Sequence, residues 1–281
     1  MIVVTGATGN VGRPLVRALA EVGERVTAVS RDRAPVDLPD GVGHTPADLA
    51  RPETLRPALD GAEALLLHDG GAGGHGLDPR ALLGVARDAG VRRVVLLSSQ
   101  GVVSRPDSVS HGSVLRAVEE AVRASGLAWT ILRPGGFASN ALAWAGSVRA
   151  ERTVAAPFGD VGIPVVDPGD IAAVAAVALR KDEHAGAVYE LNGPAAVTPR
   201  QQAEAIGAAL GEPVRFVELT RAEAHARMTA FMPEPVVETT LDVLGEPNAT
   251  ELRLSPDIER VTGRAPRSFA DWARRTVEAF R

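Results

Sequence analysis

The chain has 281 residues, of which 45% are hydrophobic and 23% charged, with a formal net charge of −5 and no cysteine. The acidic balance argues against a nucleic-acid-binding or anionic-membrane-binding protein, and no apolar run reaches the roughly 18 residues that a membrane span needs. The absence of cysteine excludes disulfides, thiolate nucleophiles and cysteine metal sites, and it suits a cytoplasmic protein.

Short β-rich runs alternate with helical stretches in the first half of the chain, which is typical of a parallel sheet with helices on both faces. Met1 leads directly into the first strand rather than into a signal peptide. The pattern predicts strands at residues 2–5, 25–30, 42–45, 62–68, 91–99 and 127–133. It predicts helices at residues 12–22, 52–59, 78–90 and 110–125.

The pattern is looser after Pro134. Strands are predicted at residues 163–166, 187–191 and 214–219. Helices are predicted at 170–179, with Asp170 as the N-cap, and at 199–210. Helical sequence is also predicted between the strand 214–219 and residue 245, and from 269 to the end. We therefore expect an α/β chain with a Rossmann-type doubly wound parallel sheet over residues 1–150. A smaller carboxy-terminal α/β substrate lobe is expected over residues 151–281, interleaved with the first domain.

The strongest functional signal is the glycine-rich segment 6–12, which follows the first predicted strand and opens the first helix. Glycines at this place allow a sharp turn and a close approach of the backbone to a pyrophosphate, while the helix N-terminus faces the negative charge. A glycine triplet alone is weak evidence, but its position between a strand and an amphipathic helix makes it specific. The residues predicted to bind the dinucleotide here are Gly6, Thr8, Gly9, Asn10, Val11 and Gly12.

The spacing GxxGxxG, together with later residues, resembles the atypical short-chain dehydrogenase/reductase superfamily. The resemblance is to its NmrA-like group, which includes NAD(P)H-binding sensors and quinone reductases. It runs over essentially the whole chain and is carried by residues 6–12, 29–31, 48–49, 125–137, Asn140, 167–172, 189–193 and 262–264. It implies a Rossmann fold and an NAD(P)-dependent reductase.

The end of the second predicted strand indicates which dinucleotide is bound. An acid at this place usually holds the ribose of NAD, whereas a cation holds the 2′-phosphate of NADP. Here Arg31 comes first, and its planar guanidinium is suited to phosphate. We predict NADP(H), although a solvated surface arginine is the alternative in this arginine-rich chain. The resemblance places Asp48 and Leu49 beside the adenine.

The usual proton-transfer pair of the superfamily is missing. The resemblance implies a catalytic serine after strand five, which Ser98 or Ser99 supplies. Thirteen residues beyond Ser98, where a tyrosine is usual, lies His111, and four residues further, where a lysine is usual, lies Leu115. The only tyrosine and the only lysine of the chain stand much later in the sequence, at Tyr189 and Lys181.

His111 is therefore the candidate proton donor, because an imidazole titrates near neutral pH. At helical spacing it shares a face with Leu115 and Val118, the face that should point toward the sheet and the cofactor. Two other roles remain open for His111: contact with the cofactor or substrate, and a purely structural one.

The remaining candidate site residues follow the later strands. His68 begins a glycine-rich loop that should border the nicotinamide and the substrate, since ligands bind beyond the carboxyl ends of such strands. His68, His75 and His111 match no metal motif, and no metal site is predicted. The resemblance places Pro134 and Gly135 beside the nicotinamide. Candidate substrate contacts are Phe137, Asn140 and Trp144.

Taken together, these features predict an NADPH-dependent reductase of a small apolar carbonyl, quinone or enone. Two alternatives remain: a non-catalytic NADP(H)-binding redox sensor, which the missing Tyr/Lys pair favours, and a non-redox isomerase or dehydratase on the same fold. The expected partner is a small-molecule substrate, with no nucleic acid and no membrane. The sequence leaves the oligomeric state open, a homodimer included.

Overall fold

The computed structural model describes residues 1–31, 38–68, 76–108 and 112–281. The strands are β1 (Ile2–Thr5), β2 (Val26–Ser30), β3 (Gly43–Pro46), β4 (Ala64–His68), β5 (Arg93–Leu97), β6 (Ala128–Pro134), β7 (Thr153–Pro157), β8 (Ala187–Leu191) and β9 (Arg215–Leu219). The helices are α1 (Gly12–Glu21), α2 (Arg56–Leu59), α3 (Pro79–Asp88), α4 (Gly101–Ser104), α5 (Ser113–Arg123), α6 (Ala145–Glu151), α7 (Pro168–Arg180), α8 (Pro199–Leu210), α9 (Arg221–Met228), α10 (Glu234–Gly245), α11 (Ala249–Leu252), α12 (Asp257–Thr262) and α13 (Phe269–Arg275). Short 3-10 helices cover Pro52–Leu55, Ala138–Trp144, Asp182–His184 and Val277–Phe280.

The main sheet has seven strands in the order β3-β2-β1-β4-β5-β6-β8, and each neighbouring pair is parallel. The chain moves outward from β1 to β3 and then returns to β4 on the other side of β1. This reversal opens a crevice at the carboxyl ends of β1 and β4, where doubly wound sheets bind their ligands. The predicted Rossmann-type fold is confirmed.

Helices cover both faces of this sheet, because successive strand residues point to opposite sides. Val4 packs with the buried residues of α1, α7 and α12 on one face. Its neighbour Val3 packs with those of α2, α3 and α5 on the other. Both α1 and α7 thus lie on the same face of the sheet and contact each other.

The carboxy-terminal half contributes to two places. β7 and β9 form a separate two-stranded parallel sheet, and α8 and α13 build a core of their own around Trp272. β8 and α7, by contrast, belong to the main sheet and its covering layer. A division of the chain at residue 150 stays a prediction.

Three local expectations differ from the structure. β7 was not predicted, and residues 163–166 form only isolated bridges, between Phe137 and Val166 and between Ile163 and Val197. The N-cap of α7 is Asp167, whose carboxylate accepts from the Gly169 amide at 2.8 Å, and not Asp170. The reason is that Pro168 is suited to the first helical position, so the acid before it caps the helix.

No helix in the described ranges is both long and apolar enough to cross a membrane.

Candidate cofactor cavity and active site

A cavity of about 360 Å3 lies at the carboxyl ends of β1, β2 and β4, at the point where the strand order reverses. Its wall combines the loop after β1, the end of β2, the turn after β3 and the end of β4. The lining residues are Thr5, Gly6, Thr8, Gly9, Asn10, Val11, Gly12, Val29, Ser30, Arg31, Ala47, Asp48, Leu49, Ala50, Leu66, His68, Leu77, Leu97 and Phe137.

The loop between β1 and α1 depends on glycine at two positions. Gly6 has a φ of +62°, a backbone conformation that residues with a side chain rarely adopt. A Cβ at Gly12 would lie 2.1 Å from the Gly6 carbonyl oxygen, so only glycine lets α1 start this close to the turn. The Gly9 amide donates to the same carbonyl at 2.9 Å and closes the turn.

The start of α1 is arranged for an anion. Its N-cap residue, Val11, offers no side-chain acceptor, and the first turn carries no acidic residue. The first amides of a helix need acceptors that the helix itself does not supply. A pyrophosphate at the lining residues Gly9, Asn10 and Val11 would supply them and would be attracted by the helix dipole. The loop therefore fits the phosphates of a dinucleotide.

His68, at the end of β4, lies directly over this loop. A Cβ at Gly6 would stand 2.3 Å from the Nε2 atom of His68, so the ring occupies the space above the glycine. Burial lowers the pKa of His68, and the positive charge of Arg31 lowers it further. The environment of His68 therefore favours the neutral imidazole, and Arg31 is close enough to contribute to this.

The other end of the cavity is formed by Arg31 and the turn after β3. Arg31 follows β2, lines the cavity and is exposed. The Asp48 carboxylate accepts from the Ala50 amide at 3.0 Å and from Arg51 Nε at 3.4 Å, which fixes the turn that presents Leu49. Residues 32 and 33, which follow Arg31 in the sequence, lie outside the described residues.

At the end of β6 the backbone turns tightly beside the cavity. The Gly135 amide donates to the Leu191 carbonyl at 3.0 Å, and a Cβ at Gly135 would lie 3.0 Å from Asn192 Nδ2. Asn192 is fully buried, and both polar atoms of its side chain have no hydrogen-bond partner among the described residues. Phe137, two residues on, lines the cavity.

The two serines after β5 are in different environments. The Ser98 hydroxyl donates to Glu119 at 2.7 Å, and Glu119 also accepts from Arg133 at 2.6 and 2.9 Å. Burial alone would raise the pKa of Glu119, but the hydrogen bonds from Arg133 and Ser98 and the nearby arginine charges hold its pKa below the ordinary value. Ser99 instead accepts from the Gly101 amide at 3.0 Å, so its own hydroxyl proton is not used in this contact.

A family model described as NAD(P)H-binding matches residues 6–182, which include every residue of the cavity lining except Thr5. The chain belongs to this NAD(P)H-binding family. The resemblance, the cofactor class NADP(H) and the enzyme class of oxidoreductase expected from the sequence are confirmed at this level.

Individual members of the family and their structures are similar over the full length. The (4-alkanoyl-5-oxo-2,5-dihydrofuran-3-yl)methyl phosphate reductase of Streptomyces griseus subsp. griseus is 38% identical, over 100% of this chain and 99% of that protein. The NAD(P)H azoreductase of Xenophilus azovorans is 35% identical, over 100% and 99%. The Escherichia coli NADPH-dependent quinone oxidoreductase complexed with NADPH has a TM-score of 0.78 and 25% identity, over 97% of this chain and 98% of that one.

In this NAD(P)H-binding protein the structure brings most predicted cofactor residues together. The predicted residues that line the cavity are Gly6, Thr8, Gly9, Asn10, Val11, Gly12, Arg31, Asp48, Leu49 and His68. Pro134 and Gly135 lie at the end of β6, outside that lining. Sequence reasoning did not select Val29, Ser30 or Leu97 as binding residues, although each stands near the carboxyl end of a predicted strand, which is the signal that finds them.

The predicted catalytic and substrate residues are less concentrated. Within the described part of the chain, the lining contains neither Ser98 nor Ser99. Asn140 is exposed and Trp144 packs against the core around Trp272. His111 lies outside the described residues, as do 69–75 with His75. The roles of these residues remain predictions.

Proposed function

We propose that this protein is an NADPH-dependent reductase of a small apolar carbonyl, quinone or enone. The observation that supports it best is the cofactor cavity. Its wall contains the uncapped start of α1, where the pyrophosphate would bind, and Arg31, where the 2′-phosphate would bind. The acceptors named for the similar proteins are an oxo-dihydrofuranylmethyl phosphate, an azo compound and a quinone. Each is a conjugated acceptor of a hydride, so an acceptor of this class is the one we propose here.

Different residues of this chain would contact different parts of the cofactor. Gly9, Asn10 and Val11 would hold the pyrophosphate, and Arg31 the 2′-phosphate. Asp48 and Leu49 would border the adenine; at the nicotinamide end we propose His68, Pro134 and Gly135. NADPH supplies a hydride when bound.

A conjugated acceptor relaxes the demand for a tyrosine and lysine pair, because the negative charge that follows reduction is delocalised and water can protonate it. Tyr189 could not serve, since it is buried on β8 with its hydroxyl 2.7 Å from His184 Nδ1. Lys181 is exposed beside Glu183.

We propose Ser99 as the stronger of the two serine candidates for orienting the acceptor oxygen. Its hydroxyl proton is free to be donated in the contact that the structure describes, whereas Ser98 would first have to leave Glu119. His111 is proposed as the proton donor, and Phe137, Asn140 and Trp144 as contacts of the substrate body.

The test is NADPH consumption with a panel of quinones and enones, with identification of the reduced product. Steady consumption with one reduced product per NADPH is expected. Tight NADPH binding without turnover on any acceptor would contradict the proposal and support a redox sensor. Conversion of a substrate without net NADPH consumption would support an isomerase or dehydratase.

The cofactor preference is tested by Arg31→Glu. Losing a charge-assisted contact to the 2′-phosphate and adding repulsion should raise the KM for NADPH by at least roughly tenfold, with little change for NADH. Arg80→Glu is the matched control, because Arg80 is an exposed arginine on α3. Equal effects of Arg31→Glu on both cofactors would contradict the assignment of Arg31.

A further inference from the structure

A second concave surface adjoins the dinucleotide loop and shares Asn10 with the cofactor cavity. This groove of about 630 Å3 runs between α1, the start of α7 and the carboxy-terminal segment 264–276. The arginines that line it are Arg13, Arg17, Arg264, Arg267 and Arg275. Among the described residues, Glu21 and Asp167 are the only carboxylates in the same lining. The surface, which we call the arginine groove, is thus strongly basic in a chain whose net charge is −5.

Buried carboxylates hold three of these arginines in place. Asp170 is fully buried and accepts from the backbone amide of Arg267 at 2.7 Å and from its Nη1 atom at 2.9 Å. Arg264 lies 2.7 Å from the same carboxylate. Asp167, also buried, pairs with Arg275. The guanidinium groups are therefore fixed at the groove before any ligand arrives, which reduces the entropy lost on binding.

The other two arginines are not neutralised in this way. Across the described ranges, Arg13 and Arg17 take part in no ion pair, and Arg13 makes one long contact, 3.4 Å from Nη2 to the Thr8 carbonyl oxygen. Arg13 also stands in the first turn of α1, where the helix dipole disfavours a cation. A positive charge in such a place is expected where an anion binds beside it.

The groove is larger than a simple anion needs and is partly apolar. Leu142, Ala172 and Trp272 line it together with the arginines. One guanidinium group can donate two hydrogen bonds to the oxygens of a phosphate, and several guanidinium groups together can balance the two negative charges of a phosphate ester. An organic molecule that carries a phosphate group matches both parts of the lining.

We propose that the arginine groove binds a phosphate ester, with Arg13, Arg17 and Arg275 on the phosphate and Leu142 and Trp272 against the organic part. The groove is separate from the cofactor cavity but meets it at Asn10, which lines both and donates from Nδ2 to Ser139 Oγ at 3.1 Å. The phosphate ester has two sources: a phosphorylated substrate, which rests on the proposed reductase function, or a separate metabolite, which does not.

Binding is measured on the NADPH-saturated protein, because bound NADPH then occupies the cofactor loop and phosphate cannot bind there. Titration with inorganic phosphate and with phenyl phosphate, followed by calorimetry, should show saturable binding of both. The double variant Arg13→Gln/Arg17→Gln should weaken it by at least roughly tenfold. Both side chains are exposed and without ion pairs in the described chain, so the variant is expected to fold. Arg87→Gln, an exposed arginine on α3, is the matched control and should bind as the wild type does.

Three results would overturn the proposal: no binding to the NADPH-saturated protein, unchanged binding in the double variant, or binding only when NADPH is absent. The last would assign the anion to the cofactor loop.

The two sources are separated by a pair of acceptors that differ only in a phosphate group. If the substrate carries the phosphate, the phosphorylated acceptor should have a KM at least roughly tenfold lower, and the double variant should abolish the difference. If the ligand is a separate metabolite, the two KM values agree while phosphate binding persists. Phosphate binding without reduction of any acceptor would reject the proposed function and leave the groove intact.

Discussion

The cofactor cavity and the arginine groove meet at the same short loop, with Asn10 in the wall of both. The cavity is shaped by backbone: Gly12 must approach the Gly6 carbonyl, and the amides at the start of α1 are left without a side-chain cap. The groove is shaped by side chains, since its charge comes from guanidinium groups on α1, α13 and the loop between α12 and α13.

The two surfaces therefore depend on different parts of the sequence. The cavity is determined by consecutive residues, and a single added methyl group would deform it. The groove is assembled from segments more than 240 residues apart in the sequence. It also depends on buried carboxylates that hydrogen-bond arginines far from them in the sequence. Substitutions should separate the two, each damaging one surface while leaving the other functional.

The largest effect is expected for Asp170→Asn. Removing the charge of a buried carboxylate that holds Arg264 and Arg267 should lower the free energy of unfolding by about 3 kcal/mol, at the low end for buried pairs because both arginines are partly exposed. It should also weaken phosphate binding at the groove. NADPH affinity should change by less than about twofold, since Asp170 does not line the cavity.

The matched control for stability is Asp160→Asn. Asp160 also pairs with an arginine, Arg200, but its side chain is exposed. A urea titration should show almost no change in the free energy of unfolding, because water screens an exposed ion pair. A loss of NADPH affinity in Asp170→Asn as large as the loss of phosphate affinity would show that the two surfaces are not independent.

Gly12→Ala should have the next largest effect, and on the other surface. The new Cβ would meet the Gly6 carbonyl oxygen at 2.1 Å and the Ala7 Cα at 2.8 Å, and neither is a flexible side-chain end. The loop must shift, and we expect NADPH affinity to fall by roughly a hundredfold, about 2.7 kcal/mol. Fluorescence titration with NADPH measures it.

Gly84→Ala is the control for this prediction. Gly84 is a glycine inside α3, and an added Cβ would meet no atom within 4 Å from the described residues outside its own stretch of helix. The substitution should leave NADPH affinity unchanged and stabilise the helix by about 0.5–1 kcal/mol. NADPH affinity in Gly12→Ala equal to that of the wild type would disprove the role given to the close approach of Gly12 and Gly6.

The same contrast explains what the sequence could predict. The parallel sheet, the loop 6–12 and the positions of Arg31, Asp48 and His68 follow from local patterns, because a parallel sheet brings the ends of its strands to one edge. The arginine groove could not be predicted in this way, since nothing near Arg17 in the sequence indicates that Arg275 lies beside it.

Smaller misses have the same physical origin. Ser98 stands where the family expects a catalytic serine, but its contact with Glu119 depends on how α5 packs against β6. β7 has a short apolar sequence that becomes a strand only because β9 pairs with it, and β9 lies about sixty residues further along the chain. Asp170 was predicted as the N-cap of α7, but its carboxylate pairs with Arg267, and it is the Asp167 carboxylate that accepts from the Gly169 amide.

The smallest expected effect concerns how His68 senses the anion in the cavity. Burial and the charge of Arg31 lower the pKa of His68 in the protein without cofactor, whereas bound phosphates would favour the imidazolium and neutralise Arg31. The pKa of His68 should thus be higher in the complex than in the free protein, so binding takes up protons and affinity rises as the pH falls through the interval between the two values. The gain in affinity on acidification is expected to be smaller than the effects of the substitutions described above. Because a 2′-phosphate itself titrates near pH 6, the measured quantity is the ratio of NADPH affinities of wild type and His68→Gln at each pH. A ratio that stays constant as the pH falls would show that His68 does not respond to the cofactor, and the cavity would then recognise its ligand through backbone and Arg31 alone.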